Sequence, residues 1–133
     1  MKEENPYKEA LRYIDNANKD LKLAGKDGKF YEDEKYVKTA CGTAYSGALI
    51  ALDHLFKIKN IPTRRRRKSI EYYQQGLAQI DKKLLKHLNS AYHLLHLDGY
   101  YDGITDIKAI EVGFDNAMSL ISSLKPYSGN GKK

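Results

Sequence analysis

Residues 36–56, YVKTACGTAYSGALIALDHLF, form a helical pattern whose apolar arc is too wide for a surface helix. Tyr36, Val37, Ala40, Cys41, Ala44, Tyr45, Ala48, Leu52, Leu55 and Phe56 recur at helical spacing. A helix apolar on several sides is covered on several sides, so this one, expected from about residue 34 to 60, belongs at the centre of a bundle. The small residues Ala40, Ala44, Ala48 and Ala51, with Gly47 beside them, let neighbouring helices approach closely. Gly42 and Gly47 each weaken the helix by roughly 1 kcal/mol relative to Ala, which points to packing room as the reason they are there.

Toward the N-terminus, Asn5-Pro6 opens a first helix, with Asn to cap free amides and Pro suited to the first helical position. Tyr7, Ala10, Leu11, Ile14, Ala17, Leu21 and Ala24 set its stripe, and Gly25 closes it. Residues 25–33, GKDGKFYED, are expected as a turn-rich connection, with Asp33 capping the central helix. No alternating strand pattern is long enough to compete with the helices.

Toward the C-terminus, Ile61-Pro62 ends the central helix and five cations follow, Arg64, Arg65, Arg66, Arg67 and Lys68. At about 100° per residue such a run would carry charge around the whole helix axis, so a third helix starts after it, with Ser69 as cap. Ile70, Tyr73, Leu77 and Ile80 face the core, and Asp81 caps a fourth helix over about 82–97. Leu84, Leu85, Leu88, Ala91, Tyr92 and Leu95 share one arc of that helix, while Leu94 and Leu97 fall outside it. An apolar surplus of this kind marks a second packing surface, either the last helix or a second subunit. Asp98-Gly99 and Asp102-Gly103 are expected to break the chain. Thr105 or Asp106 then caps a fifth helix carrying Ile107, Ile110, Phe114, Ala117, Ile121 and Leu124. The expectation is an all-α, four- to five-helix up-and-down bundle over residues 1–125, with a disordered tail at 126–133.

The 133 residues suit one core without metal or disulfide staples. No apolar run approaches the roughly 18 residues of a membrane span, and the N-terminus is charged where a signal peptide turns apolar, so the expected location is the cytoplasm. Cys41, the single cysteine, fits as a small buried hydrophobe. The net charge of +6 is local: without the five cations at 64–68 it is +1, and without Lys132 and Lys133 as well it is −1. An electrostatic partner would meet a spot, not a broad basic face.

Three constellations bear on chemistry. His93 and His96 stand three residues apart on a helix and could give two metal ligands, but His54, His87, Asp98 and Asp102 add no diagnostic spacing, so no metal site is assigned. Eleven tyrosines mostly fall within apolar stripes; Tyr31, Tyr72, Tyr100 and Tyr101 stay free for stacking. The run at 64–68 is either a solvated connection or a phosphate-holding patch. Cys41 has no acid–base partner predictable from sequence, and no phosphate-cradling glycine loop is present.

From Tyr7 to Leu124 the order of elements resembles the HEPN-like domains of prokaryotes. The resemblance rests on YKEALRYIDNANKDLKLA, on YVKTACGTAYSGALIALDHLF and on SAYHLLHLDGYYDG. It implies two long antiparallel core helices, frequent dimerisation and, in ribonuclease members, an Arg followed after four to six residues by a His near the dimer axis. His96 matches that His. The Arg is missing, since the corresponding positions hold Asn89, Ser90 and Ala91. What the resemblance implies is therefore a non-catalytic binding or interaction module, and the position of Leu94 and Leu97 off the core stripe makes them the expected homodimer interface. Its partner would be a protein, such as a nucleotidyltransferase, or a nucleotide or RNA, met by residues 64–68, Tyr92, His96, Tyr100 and Tyr101. No cofactor is implied. A degenerate ribonuclease using His96, and a metal site in the bundle core, are the alternatives.

Overall fold

Each α-helix among the described residues begins on a side chain that accepts a backbone N–H. In this computed structural model, which describes residues 5–62 and 68–128, Asn5 Oδ1 accepts from Lys8 N at 3.2 Å and opens α1 (Pro6–Ala24). Asp33 Oδ1 accepts from Lys35 N at 3.0 Å at the start of α2 (Glu34–Ile58). Ser69, Asp81 and Asp106 do the same for α3 (Ile70–Ile80), α4 (Lys82–Ala91) and α5 (Ile107–Ser122). Each such cap contributes about 1 kcal/mol and fixes where its helix starts.

The helix ends are equally local. Asn60 has a φ of 62°, a conformation Asn tolerates better than most residues. Around it Asn60 N donates to Lys57 O at 3.2 Å and Ile61 N to Phe56 O at 2.9 Å. These are the two bonds of a Schellman motif, so α2 stops at Ile58.

The five helices pack against one another as an all-α bundle with α2 at its centre, touching α1, α5 and the extension of α4. Its alanines 40, 44, 48 and 51 are fully buried, as are Leu52 and Phe56. The fourth helix differs from expectation. It does not break at Asp98-Gly99 but continues beyond α4 as a π-helical segment, Tyr92–Tyr101, closed by wider i→i+5 bonds. Gly99 is buried there for a packing reason. A Cβ at this position would stand 2.8 Å from the Cβ of Cys41 and collide with its sulfur. The glycine brings two backbones together; the chain turns only after Tyr101.

Phe56 makes a second contact of this type, its ring edge lying where Gly76 of α3 lacks a side chain. Tyr72 and Tyr73 flank the ring at 5.6 and 5.9 Å.

Residues 25–33 also differ from expectation, since they contain a short antiparallel hairpin, β1 (Lys26–Asp27) and β2 (Phe30–Tyr31). Gly28, with φ at 65°, opens its two-residue turn. Tyr31 N donates to Thr105 O at 2.9 Å and Ile107 N to Lys29 O at 3.0 Å. The hairpin therefore straps the α1–α2 connection to the start of α5. At the C-terminus the ordered chain runs past 125: Lys125–Tyr127 forms a 3₁₀ turn, and Asn5 Nδ2 donates to Ser128 O at 3.0 Å. Residues 129–133 of the expected tail lie outside the described residues. No helix among the described residues is long and apolar enough to cross a membrane.

Gly99→Ala separates helix propensity from packing. Propensity alone would stabilise the helix by roughly 0.5–1 kcal/mol, whereas overpacking against Cys41 destabilises by about 1–3 kcal/mol. The expected outcome is a lower urea midpoint than wild type at unchanged slope, measured by circular dichroism.

Candidate functional site

The wider turn of the π segment brings residues four and five apart onto one line, and here that line is aromatic. Tyr92 stacks on His96 with centroids 5.3 Å apart, and Tyr100 lies nearly parallel to His96 at 6.2 Å and 11°. From α2, Tyr45 stacks on His96 at 4.9 Å, and Tyr101 meets it edge-on at 5.0 Å. Five rings thus form a ladder from the core to the surface. Tyr45 is 7% exposed at its inner end, while Tyr100 and Tyr101 are 44% and 59% exposed at its outer end. Gly42 of α2 makes the outer rung possible, because a Cβ there would stand 2.9 Å from the Tyr100 ring.

Burial governs the electrostatics. It holds the His96 imidazole below its ordinary value, so the ring is neutral at pH 7. It also pushes the Tyr45 phenol up, with Tyr92 adding to the shift, and pushes the Cys41 thiol up to about 12. Cys41 is buried, as expected, and is no nucleophile at neutral pH. His93 does not join His96. It is turned to Asp98, with Nε2 to Oδ2 at 3.4 Å. His87 Nδ1 lies 2.8 Å from Asn116 Oδ1 on α5. Among the described residues no group of three or more His, Cys, Asp or Glu side chains could hold a metal ion.

Of the other expected site residues, Arg64, Arg65, Arg66 and Arg67 lie outside the described residues. Lys68 is turned inward, its Nζ 3.1 Å from Asp53 Oδ1, an oxygen that also accepts from Tyr73 Oη at 2.8 Å. Tyr31 and Tyr72, expected to be free for stacking, are buried instead. Tyr72 packs edge-on against Phe56, and its hydroxyl donates to Pro62 O at 2.9 Å. Leu94 lies against Gly113 of α5. Leu94 and Leu97 are both half-buried.

A cleft between α1, the hairpin and α5 went unseen in the sequence. Its third wall is the hairpin, whose two-residue strands carry no readable alternation. The only local signal was the four-residue spacing of Lys22 and Lys26, and of Glu111 and Asp115.

Fold and site together define a small all-α bundle with an aromatic surface ladder. The chain belongs to the family described as Domain of unknown function (DUF5618), whose model matches residues 5–125. It is also similar to a solved structure, a protein of unknown function from Dyadobacter fermentans. The two are 40% identical with a TM-score of 0.85, over 96% of this chain and 99% of that one. Comparison with curated proteins gives no match.

The lowered His96 value fixes a pH dependence. Its contribution to stability is complete above the unfolded value near 6.5 and is lost as the pH falls from there through the folded value, because only the unfolded chain takes up the proton over that interval. An NMR titration of the His96 ring should show a midpoint below 6.5, and His96→Gln should flatten that part of the stability profile.

Proposed function

We propose that this protein is a non-catalytic, cytoplasmic binding module, HEPN-like in layout, that contacts a nucleotide or single-stranded RNA by stacking. The observation that carries the reading is the exposed pair Tyr100 and Tyr101 at the end of a ring stack rooted in the core. Rings held by their neighbours lose little freedom when a further ring is added, and every base offers a face, so such a platform tolerates sequence.

Catalysis is disfavoured by the chemistry around His96. Its ring neighbours are Tyr45, Tyr92, Tyr100 and Tyr101. Asn89, Ser90 and Ala91 supply no guanidinium for the charge that builds up when a phosphodiester is cleaved. A neutral imidazole among phenols has a base to offer but no electrostatic partner for that charge. Lys68, already paired with Asp53, is not free to replace it.

Titration with AMP and with short oligoadenylate, followed by the tyrosine ring resonances, tests the reading. Tyr101→Ala should weaken binding about 5- to 150-fold, the equivalent of roughly 1–3 kcal/mol for one stacked base. RNA cleavage should remain at background in wild type and in His96→Ala alike. No shift of the Tyr100 and Tyr101 rings with either ligand would overturn the stacking reading, and cleavage that disappears in His96→Ala would restore the enzyme.

A further inference from the structure

The cleft between α1, the hairpin and α5 has a volume of roughly 580 Å³, within the range of about 300–1,000 Å³ usual for small-molecule sites. Its floor is apolar, made by Ile14 and Leu21 of α1, Tyr31 of β2, and Phe114 and Met118 of α5. Ile14, Tyr31 and Phe114 are buried members of the main core, so the floor is as firmly packed as the bundle itself.

The rim divides by charge. Lys22 of α1 and Lys26 of β1 supply the cations, and Glu111 and Asp115 of α5 supply the carboxylates. None of these four belongs to any ion pair formed among the described residues. Lys26 is held over the floor, its Nζ 6.0 Å from the centroid of the Tyr31 ring. Glu111 lines the same cleft as the Tyr31 ring, and burial raises the Tyr31 phenol with Glu111 adding to the shift. Asn18, with both a donor and an acceptor, completes the α1 wall.

Opposite charges that face a common apolar floor without closing on each other select for the ligand. A simple anion is repelled by Glu111 and Asp115, and a simple cation by Lys22 and Lys26. A neutral apolar molecule leaves all four charges unanswered. We infer that the cleft binds a small zwitterion with an apolar side chain, an amino acid or short peptide with free termini, its carboxylate at Lys22 and Lys26 and its ammonium at Glu111 and Asp115.

The test is a titration of the full chain, followed by backbone amide resonances, with leucine, leucyl-leucine, N-acetyl-leucine and leucinamide. One or both zwitterions should bind with a Kd of about 1 mM or tighter and shift the amides of Lys22, Lys26, Glu111 and Asp115. Relative binding of leucine and leucyl-leucine distinguishes a free amino acid from a peptide. N-acetyl-leucine, which lacks the ammonium, and leucinamide, which lacks the carboxylate, should each bind at least about 10-fold more weakly, one charge contact being lost in each. Glu111→Gln, a change at an exposed position, should narrow the preference for leucine over N-acetyl-leucine. Absence of shifts in the cleft with all four compounds at about 10 mM, a concentration that reveals even feeble binding, would overturn the inference. So would equal affinity for the zwitterions and both blocked forms.

Discussion

The π segment can lie against α2 because at two of their contacts a glycine on one helix faces a side chain of the other. Gly99 leaves room for Cys41, and Gly42 leaves room for the Tyr100 ring. Each glycine weakens the helix that contains it by roughly 1 kcal/mol, and the close packing they permit offsets that loss. The fully buried Cys41 supplies apolar contact there. The register of the aromatic ladder follows from it. With Gly99 seated on Cys41, Tyr92 and His96 lie against Tyr45, and Tyr100 continues the stack from His96.

Charge is arranged around this seam and not within it. Lys68, the one described member of the basic run, is paired with Asp53, and the same carboxylate oxygen holds the Tyr73 hydroxyl. That arrangement fixes the start of α3 to the middle of α2. Lys22, Lys26, Glu111 and Asp115, which form no ion pair among the described residues, sit elsewhere, around the cleft at the hairpin. Two surfaces of different chemistry are thus built on one core, one aromatic and one zwitterionic.

Much of the bundle was legible because it is written locally. Asn5, Asp33, Ser69, Asp81 and Asp106 announce their helices through bonds two or three residues away. The small-residue helix declares its central place through composition alone. Gly99 was misread because a glycine has two uses, ending a helix and admitting a neighbour, and the choice is made by Cys41, far away in the chain. The hairpin was missed for a similar reason. Its strands are held by Thr105 and by the bond from Ile107 to Lys29, not by a pattern of their own. Tyr72 escaped because Phe56, on another helix, gives it an apolar neighbour. The ladder was visible only in part: the sequence pointed to Tyr92, His96, Tyr100 and Tyr101, but Tyr45 joins them through tertiary packing.

The helix passes unbroken through Asp98-Gly99 because Gly99 is a contact and not a stop. Amide hydrogen exchange at residues 99–101 tests it directly, since amides bonded within a packed helix exchange only when that part of the structure opens. Gly99, Tyr100 and Tyr101 should be protected to a degree comparable with Ala44 and Ala48 in α2. Exchange at the rate of an unstructured chain from Asp98 onward would contradict it.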